Sequence, residues 1–239
     1  MRQVSAAGVD GCRSSWICVA KIRGKALSAF IAPSIETLVA WLPDDCVIGI
    51  DIPIGLPARD SRQCEILARR LVGPRRSSVF PVPLRVALKG HTREEACDLQ
   101  VPAHGRGKRI GVQTWAIMPK IIEVDAYLRA DLRRANRIIE VHPEVSFCCW
   151  NGGTPLTESK KTAPGRRLRS GLIDSRWRAD RQRLEQYLAK QHHGEWALDD
   201  LYDAFAVLWT ATRYARGESQ CLPEAAELDS TGLTMRIVA

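Results

Sequence analysis

The residues of this chain best suited to chemistry are acids placed where apolar runs stop. Val9-Asp10 closes the first run and Val47-Ile48-Gly49-Ile50-Asp51 the second. Arg137-Ile138-Ile139-Glu140-Val141 carries a third acid, and Asp200 and Asp203 flank the start of a helix-like stretch from Leu201 to Arg213. Short Val and Ile runs read as strands of a central sheet, and an acid at a strand end needs a compensating partner. Hydrogen bonds supply that at one site. Several such acids in one chain point instead to carboxylates gathered round divalent cations, the arrangement that cleaves phosphodiesters.

Cations form the second signal. The 239 residues carry 35 Lys and Arg against 27 Asp and Glu, a net charge of +8. Between Glu158 and Arg183 nine basic residues face three acids, and further concentrations run from Arg59 to Arg76 and from Arg106 to Arg109. Such patches attract polyanions through a salt-sensitive term, so nucleic acid is the expected partner, against the plainer reading of solvated helical faces. Arg75-Arg76-Ser77-Ser78 and Ser159-Lys160-Lys161-Thr162 join fixed cations to hydroxyl and backbone donors, which suits phosphate. Trp115, Trp150 and Trp177 are candidates for base stacking, although tryptophan more often packs in a core.

Composition excludes several classes. At 45% hydrophobic and 26% charged, the chain has ordinary globular content. No run approaches the roughly 18 apolar residues of a spanning helix, and Met1 to Ala7 has no signal-peptide core, so a cytoplasmic protein without membrane contact is expected. The eight cysteines include no C-x-x-C pair and read as small buried hydrophobes rather than zinc ligands. The oligomeric state is left open, and a homodimer is compatible.

These residues need elements to position them. Val4 to Val9 reads as a strand, and Ser15 to Ile22 with Ala26 to Ile31 as a hairpin across Arg23-Gly24-Lys25. A short helix capped by Ser34 leads to a strand from Cys46 to Asp51. Ser61 to Val72 reads as a basic amphipathic helix, and residues 73–111 as an irregular insertion rich in Pro, Gly and Arg. A helix from Pro119 to Arg134 precedes a strand from Arg137 to His142. Gly152 to Arg169 reads as a polar loop, within a basic segment from 152 to 190. Helices from Ser175 to Lys190 and Leu198 to Arg213 follow, then a closing strand from Leu233 to Val238. The expected fold is therefore a single α/β domain over 1–239: an RNase H-like mixed sheet flanked by helices, with loop and helical insertions.

The motifs also resemble a known family. Gly8-Val9-Asp10-Gly11-Cys12-Arg13 with Trp16, and Ile50-Asp51-Ile52-Pro53-Ile54-Gly55-Leu56-Pro57, are similar to signatures of the DUF429 family, described as predicted RNase H-like nucleases. The resemblance runs on through Arg75 to Pro81, Gln113 to Ile117, Pro119 to Asp125 and Glu140 to Phe147. It also takes in Asn151-Gly152-Gly153, Ser159 to Thr162 and Asp200 to Ala206, so it spans nearly the whole chain. Ser15 stands where the family usually has Gly, and Glu65 where it usually has Asp. More distantly, Asp200-x-x-Asp203 on a late helix is similar to Holliday-junction resolvases of the RuvC type.

The resemblance implies a metal-dependent nuclease that uses two ions, Mg²⁺ or Mn²⁺. Asp10 is then the bridging ligand, Asp51 and Asp203 hold one ion each, Asp200 assists, and Glu140 joins the catalytic set. Arg13, Arg75, Arg76, Ser77, Ser78, Lys120, His142, Lys160 and Lys161 form the expected substrate-binding set. A separation of three puts Asp200 and Asp203 on one helical face, with Asp199 competing for the inward position. Two other classes bear on the same residues. A sugar-kinase or actin-like ATPase needs two copies of the fold, whereas this length holds one, and no Walker-type glycine loop is present. A binding module for a phosphorylated metabolite predicts a closed pocket rather than a groove.

Overall fold

The structure is a computed structural model and describes residues 4–239. Its central sheet holds β1 (Ala6–Cys12), β2 (Ser15–Lys21), β3 (Ser28–Ala32), β4 (Val47–Ile50) and β5 (Ile138–Glu140), in the order β3-β2-β1-β4-β5. The β1–β2 and β2–β3 pairs are antiparallel, and β1–β4 and β4–β5 are parallel. This mixed sheet flanked by helices is consistent with an RNase H-like arrangement. Cys12 pairs with Ser15, so Arg13 and Ser14 alone turn the first hairpin, and Arg13 takes a φ of +36° to do so.

Helices cover both faces. They are α1 (Ile35–Ala40), α2 (Gln63–Leu71), α3 (Arg93–Ala103), α4 (Val112–Ala116), α5 (Met118–Ala130), α6 (Pro143–Trp150), α7 (Ala163–Gln191) and α8 (Leu198–Tyr214). One core joins Ala6, Ile17 and Val19 to Phe147, Ile173 and Phe205 of α6, α7 and α8. The other joins Ala7, Val9 and Cys18 to α1 and α5 through Ile35, Leu38, Ile121 and Val124. A hairpin of β6 (Cys221–Leu228) and β7 (Thr234–Val238) attaches beside β5 through a parallel bridge between Val141 and Val238. Among the described residues no helix is long and apolar enough to cross a membrane.

Alternation along the strands decides where the acids go. Ala6 and Cys12 of β1 belong to the α8 side, and Gly8 abuts α8 directly. A Cβ on Gly8 would stand 2.1 Å from the Ala204 carbonyl oxygen and 2.2 Å from the Leu208 nitrogen. Asp10 shares that face. Gly49 of β4 likewise meets Val207, which puts Asp51, two residues on, on the same side. Glu140 follows the other phase. Ile138 packs in the α5-side core while Ile139 meets Val207, so Glu140 lies on the α5 side.

Four segments differ from the sequence expectations. Residues 73–111 are not wholly irregular, since they hold two 3-10 turns (Gly73–Ser78, Arg85–Lys89) and helix α3. Gly152 to Arg169 is a loop only as far as Thr162, whose side chain accepts from the Gly165 N–H and caps α7. Strand β6 and helix α6 also stand where no element was expected.

Candidate active site

Three elements bring Asp10, Asp51 and Asp203 to one place. In the parallel β1–β4 pair Val9 is opposite Ile50. Asp10 and Asp51 lie one step beyond, on strands about 4.8 Å apart. The Asp51 N–H still donates to the Val9 carbonyl at 3.0 Å. Asp203 comes down from α8, which packs without intervening side chain on Gly8. Asp10 and Asp203 are buried, at 8% and 1% exposure. Asp10 has one close protein donor, the Gly11 N–H at 2.7 Å.

The electrostatics follow from burial and mutual repulsion. Burial raises the Asp10 carboxyl well above its ordinary range, and the charges of Asp51 and Asp203 raise it further. Asp51 is pushed up to about 8 by burial and then by Asp203. Burial also raises Asp203, with Lys160 opposing it. Among the described residues Lys160 is the cation that pairs directly with this set, through an ion pair between its ammonium and Asp203. Burial works against that ammonium, but Asp203, Asp10 and Asp51 together hold its pKa above the ordinary lysine value. Three carboxylates thus share one ammonium.

The other predicted acids lie near this centre but have partners of their own. Asp200 accepts from the Ala197 N–H at 2.8 Å and closes the first turn of α8, the helix-terminus role that acids there often fill. Asp199 pairs with Lys161 and lies 3.8 Å from the Lys160 ammonium. Glu140, expected in the catalytic set, is held on the opposite face by Arg62 through two bonds of 2.7 Å, and it accepts from the Ile54 N–H as well. Arg62 also binds Glu65 and the carbonyls of Ile54 and Gly55. The strand's two-residue period turns Glu140 away from α8, yet it lines the first cavity with Asp10 and Asp51, and its charge helps raise the Asp51 carboxyl. Glu144 is likewise taken, by the buried Arg169.

Most of the basic candidates surround two adjoining cavities. The first, about 250 Å³, runs from Asp10 and Asp51 past Arg13 and Lys120 between walls of Ile52, Phe80 and Ile117. The second, about 260 Å³, is lined by Asp51 and Asp203 with Arg75, Ser77, Lys160 and Lys161. Asp51, Ser78, Phe80 and His142 border both. Arg76 borders neither. The His142 Nε2–H donates to the Ser78 carbonyl at 3.2 Å, and burial lowers its pKa, so the ring is neutral. Lys120 donates to the Ser15 carbonyl at 2.6 Å with its ammonium 4.2 Å over the Trp16 ring.

A family model described as a protein of unknown function (DUF429) matches residues 8–228. The chain belongs to the DUF429 family. No curated protein and no solved structure matches it. The matched span of this DUF429 chain includes every residue of the acid centre and both cavities except Ile237.

Whether these residues suit divalent ions depends on donor chemistry and placement. Hard carboxylate oxygens in excess over a single ammonium are the donor set Mg²⁺ and Mn²⁺ take. Among the described residues, however, no three Asp, Glu, His or Cys side chains already converge as a ligand group. The chemistry of the set fits a divalent cation, with Lys160 as its competitor.

Sequence reasoning missed Phe80, Thr114 and Ile117 as cavity walls and Arg62 as the partner of Glu140. The spacing Arg62-x-x-Glu65 was the available signal for that network. Trp150 and Trp177 are not free to stack on bases. Trp150 stacks on Trp209 with centroids 5.3 Å apart, and Trp177 meets Trp150 edge-on.

Proposed function

We propose that this DUF429 protein is a divalent-metal-dependent phosphodiesterase acting on nucleic acid. One observation carries the reading: Asp10, Asp51 and Asp203 are gathered where β1 and β4 meet α8, and among the described residues Lys160 is the cation that ion-pairs with them. Asp10, Asp51 and Asp203 would hold Mg²⁺ or Mn²⁺. Bound ions at such a site lower the pKa of water and neutralise charge on the leaving oxygen.

The chain's own groups bind and position. Arg75, Lys161 and the hydroxyl of Ser77 offer phosphate a cationic wall facing the carboxylates. Neutral His142, fixed by the Ser78 carbonyl, holds the partition between the cavities without adding charge. Burial of the aspartates keeps bulk water from screening them, which strengthens every charge interaction there.

A second reading has an observation of its own. The site is a pair of small adjoining cavities of about 250 and 260 Å³, a size that suits a small phosphorylated metabolite.

Hydrolysis of single-stranded, duplex, hybrid and branched substrates, with Mn²⁺ binding followed by electron paramagnetic resonance, separates the two. The parent should bind Mn²⁺ and cleave with Mg²⁺ or Mn²⁺, while Ca²⁺ should permit binding with little turnover. Asp10→Asn keeps the shape but lacks the charge, and should lose roughly a hundredfold or more of the hydrolysis while keeping substrate affinity. Lys160→Gln removes the competing ammonium and should tighten Mn²⁺ binding. Cleavage that survives a chelator, or is unchanged in Asp10→Asn, rules the reading out. A clean parent inactive on every substrate leaves the metabolite-binding reading.

A further inference from the structure

The two cavities differ in chemistry but share a border, and the border is the acid centre. On one side lie Arg75, Lys161 and Ser77, a surface for phosphate. On the other, Ile52, Pro53, Val79, Pro81 and Ile117 give a chamber largely apolar walls, with Arg13, Lys120 and the paired Arg62 and Glu140 as its polar groups. At about 250 Å³ that chamber falls just short of the roughly 300 Å³ where small-molecule pockets begin. It has room for one flat ring system and none for a helix of nucleic acid.

Phe80 stands on the border of both cavities and is 39% exposed, a large hydrophobic side chain left partly uncovered. Its neighbours Val79 and Pro81 fix the backbone on either side. Val79 is buried, and the Arg69 guanidinium donates to the Val79 carbonyl at 2.8 Å. The Thr114 hydroxyl donates to the Pro81 carbonyl at 2.9 Å. An exposed aromatic ring on a fixed segment, beside an apolar slot and a cationic wall, is a platform on which a base stacks while its phosphate is held.

We infer that the site takes a nucleotide whose base is unpaired: the base enters the apolar chamber against Phe80, and the adjoining phosphate lies on the Arg75 and Lys161 side. This rests on the phosphodiesterase reading above and adds the substrate class. A paired base cannot enter, because its Watson–Crick partner and stacked neighbours would have to follow it between Ile52 and Ile117. The nucleotide can come from a single strand, a strand end, or free solution.

The test measures affinity in chelator and again in Ca²⁺, so that no turnover intervenes. The probes are a short single-stranded oligothymidylate with a terminal phosphate, an abasic strand of equal charge, the same thymidylate strand in a duplex, and thymidine monophosphate. The unpaired thymidylate strand should bind about tenfold or more tighter than the abasic strand and the duplex, the scale that stacking on one aromatic ring supplies. Phe80→Ala should bring the thymidylate-to-abasic ratio close to one, and Phe80→Tyr should restore it. Thermal melting checks that both variants are folded. Monophosphate binding as tightly as the strand identifies the free nucleotide as the source, and weaker binding identifies the strand. Equal affinity for abasic and base-bearing strands, equal affinity for duplex, an unchanged ratio in Phe80→Ala, or no binding of any probe overturns the inference. Base-dependent binding with no hydrolysis in Mg²⁺ or Mn²⁺ would remove the metal reading and leave the base chamber. Hydrolysis of abasic and duplex strands at the single-strand rate would do the reverse.

Discussion

Asp51 follows β4 and Glu140 closes β5, on neighbouring parallel strands, yet their surroundings differ in kind. Around Glu140 each carboxylate oxygen accepts from Arg62, and the same guanidinium reaches Glu65 and two backbone carbonyls. Around Asp51 the carboxylates outnumber the cations, and burial with mutual repulsion pushes its carboxyl up to about 8. Arg85 with Asp125 and Asp229, and Arg169 with Glu144, follow the Glu140 pattern. Among the described residues, buried acids are therefore normally matched by an arginine, and the exception is the set where β1 and β4 meet α8: buried Asp10 and Asp203 with half-buried Asp51. An unmatched set of charges held in place by the fold is a mark of function, because stability alone would have removed it.

The largest effect should come from breaking the matched side. Arg62→Met leaves Glu140 and Glu65 buried without their cation, and urea unfolding should show a loss of about 3–5 kcal/mol. A loss under about 1 kcal/mol would mean that the two acid sets are not different after all.

Next is the loop that delivers the lone ammonium. A Cβ on Gly165 would stand 1.9 Å from the Ser159 carbonyl oxygen, at the foot of the Lys160 loop. Helix propensity alone predicts that Gly165→Ala stabilises by up to about 1 kcal/mol. The backbone clash predicts a loss of about 1–3 kcal/mol instead, with weaker substrate binding. The sign of the change in unfolding free energy decides between them.

A pH series sharpens the unmatched side. The Asp51 carboxyl titrates near 8 in the folded chain against an ordinary 3.8, so between those values the folded state holds a proton that the unfolded chain has released. In chelator the parent should therefore lose stability as pH rises from about 4 to about 8, with the full penalty above that. Asp51→Asn should flatten this fall and melt higher than the parent at pH 9. A parent whose melting temperature rises through the same window would contradict the sign.

The smallest effect belongs to Lys161, whose side chain is 71% exposed in its pair with Asp199. Lys161→Ala should change stability by less than about 1 kcal/mol. It should still reduce the salt dependence of nucleic-acid binding by roughly one phosphate contact.

Much of this was legible in the chain, and the losses have physical causes. Strands β1 to β4 stood out as short, mostly buried apolar runs, Ala6-Ala7-Gly8-Val9, Trp16-Ile17-Cys18-Val19-Ala20, Ala29-Phe30-Ile31-Ala32 and Val47-Ile48-Gly49-Ile50. The acids at the ends of β1 and β4 were visible for the same reason. Helix α3 was hidden because its buried positions are Ala96, Cys97 and Gln100, too small or polar to form an apolar stripe, with Pro102 inside the helix. Helix α6 is buried almost all round and so shows no periodicity. Thr162-Ala163-Pro164 did carry a capping signal for α7, but the polar composition around it read as loop. Charge counting failed differently, for it cannot tell an exposed arginine from one consumed inside. Arg62, Arg169 and Arg181 all fell within supposed polyanion patches, yet each is buried in ion pairs. The opposite face of Glu140 followed from strand phase, which needed β5 to be placed to within one residue.

The bare contact between Gly8 and α8 sets a tolerance for the whole centre. Most helix–sheet spacings depend on the sizes of interleaved side chains, and so drift whenever a core residue changes. Here the helix backbone rests on the strand backbone at Gly8, which is two residues from Asp10, and it does so through Ala204, the residue after Asp203. Peptide dimensions, which no mutation alters, therefore fix how far apart the two backbones that carry these carboxylates stand. The surrounding core can change in size and composition over evolutionary time while the gauge between them keeps its value, provided position 8 remains glycine.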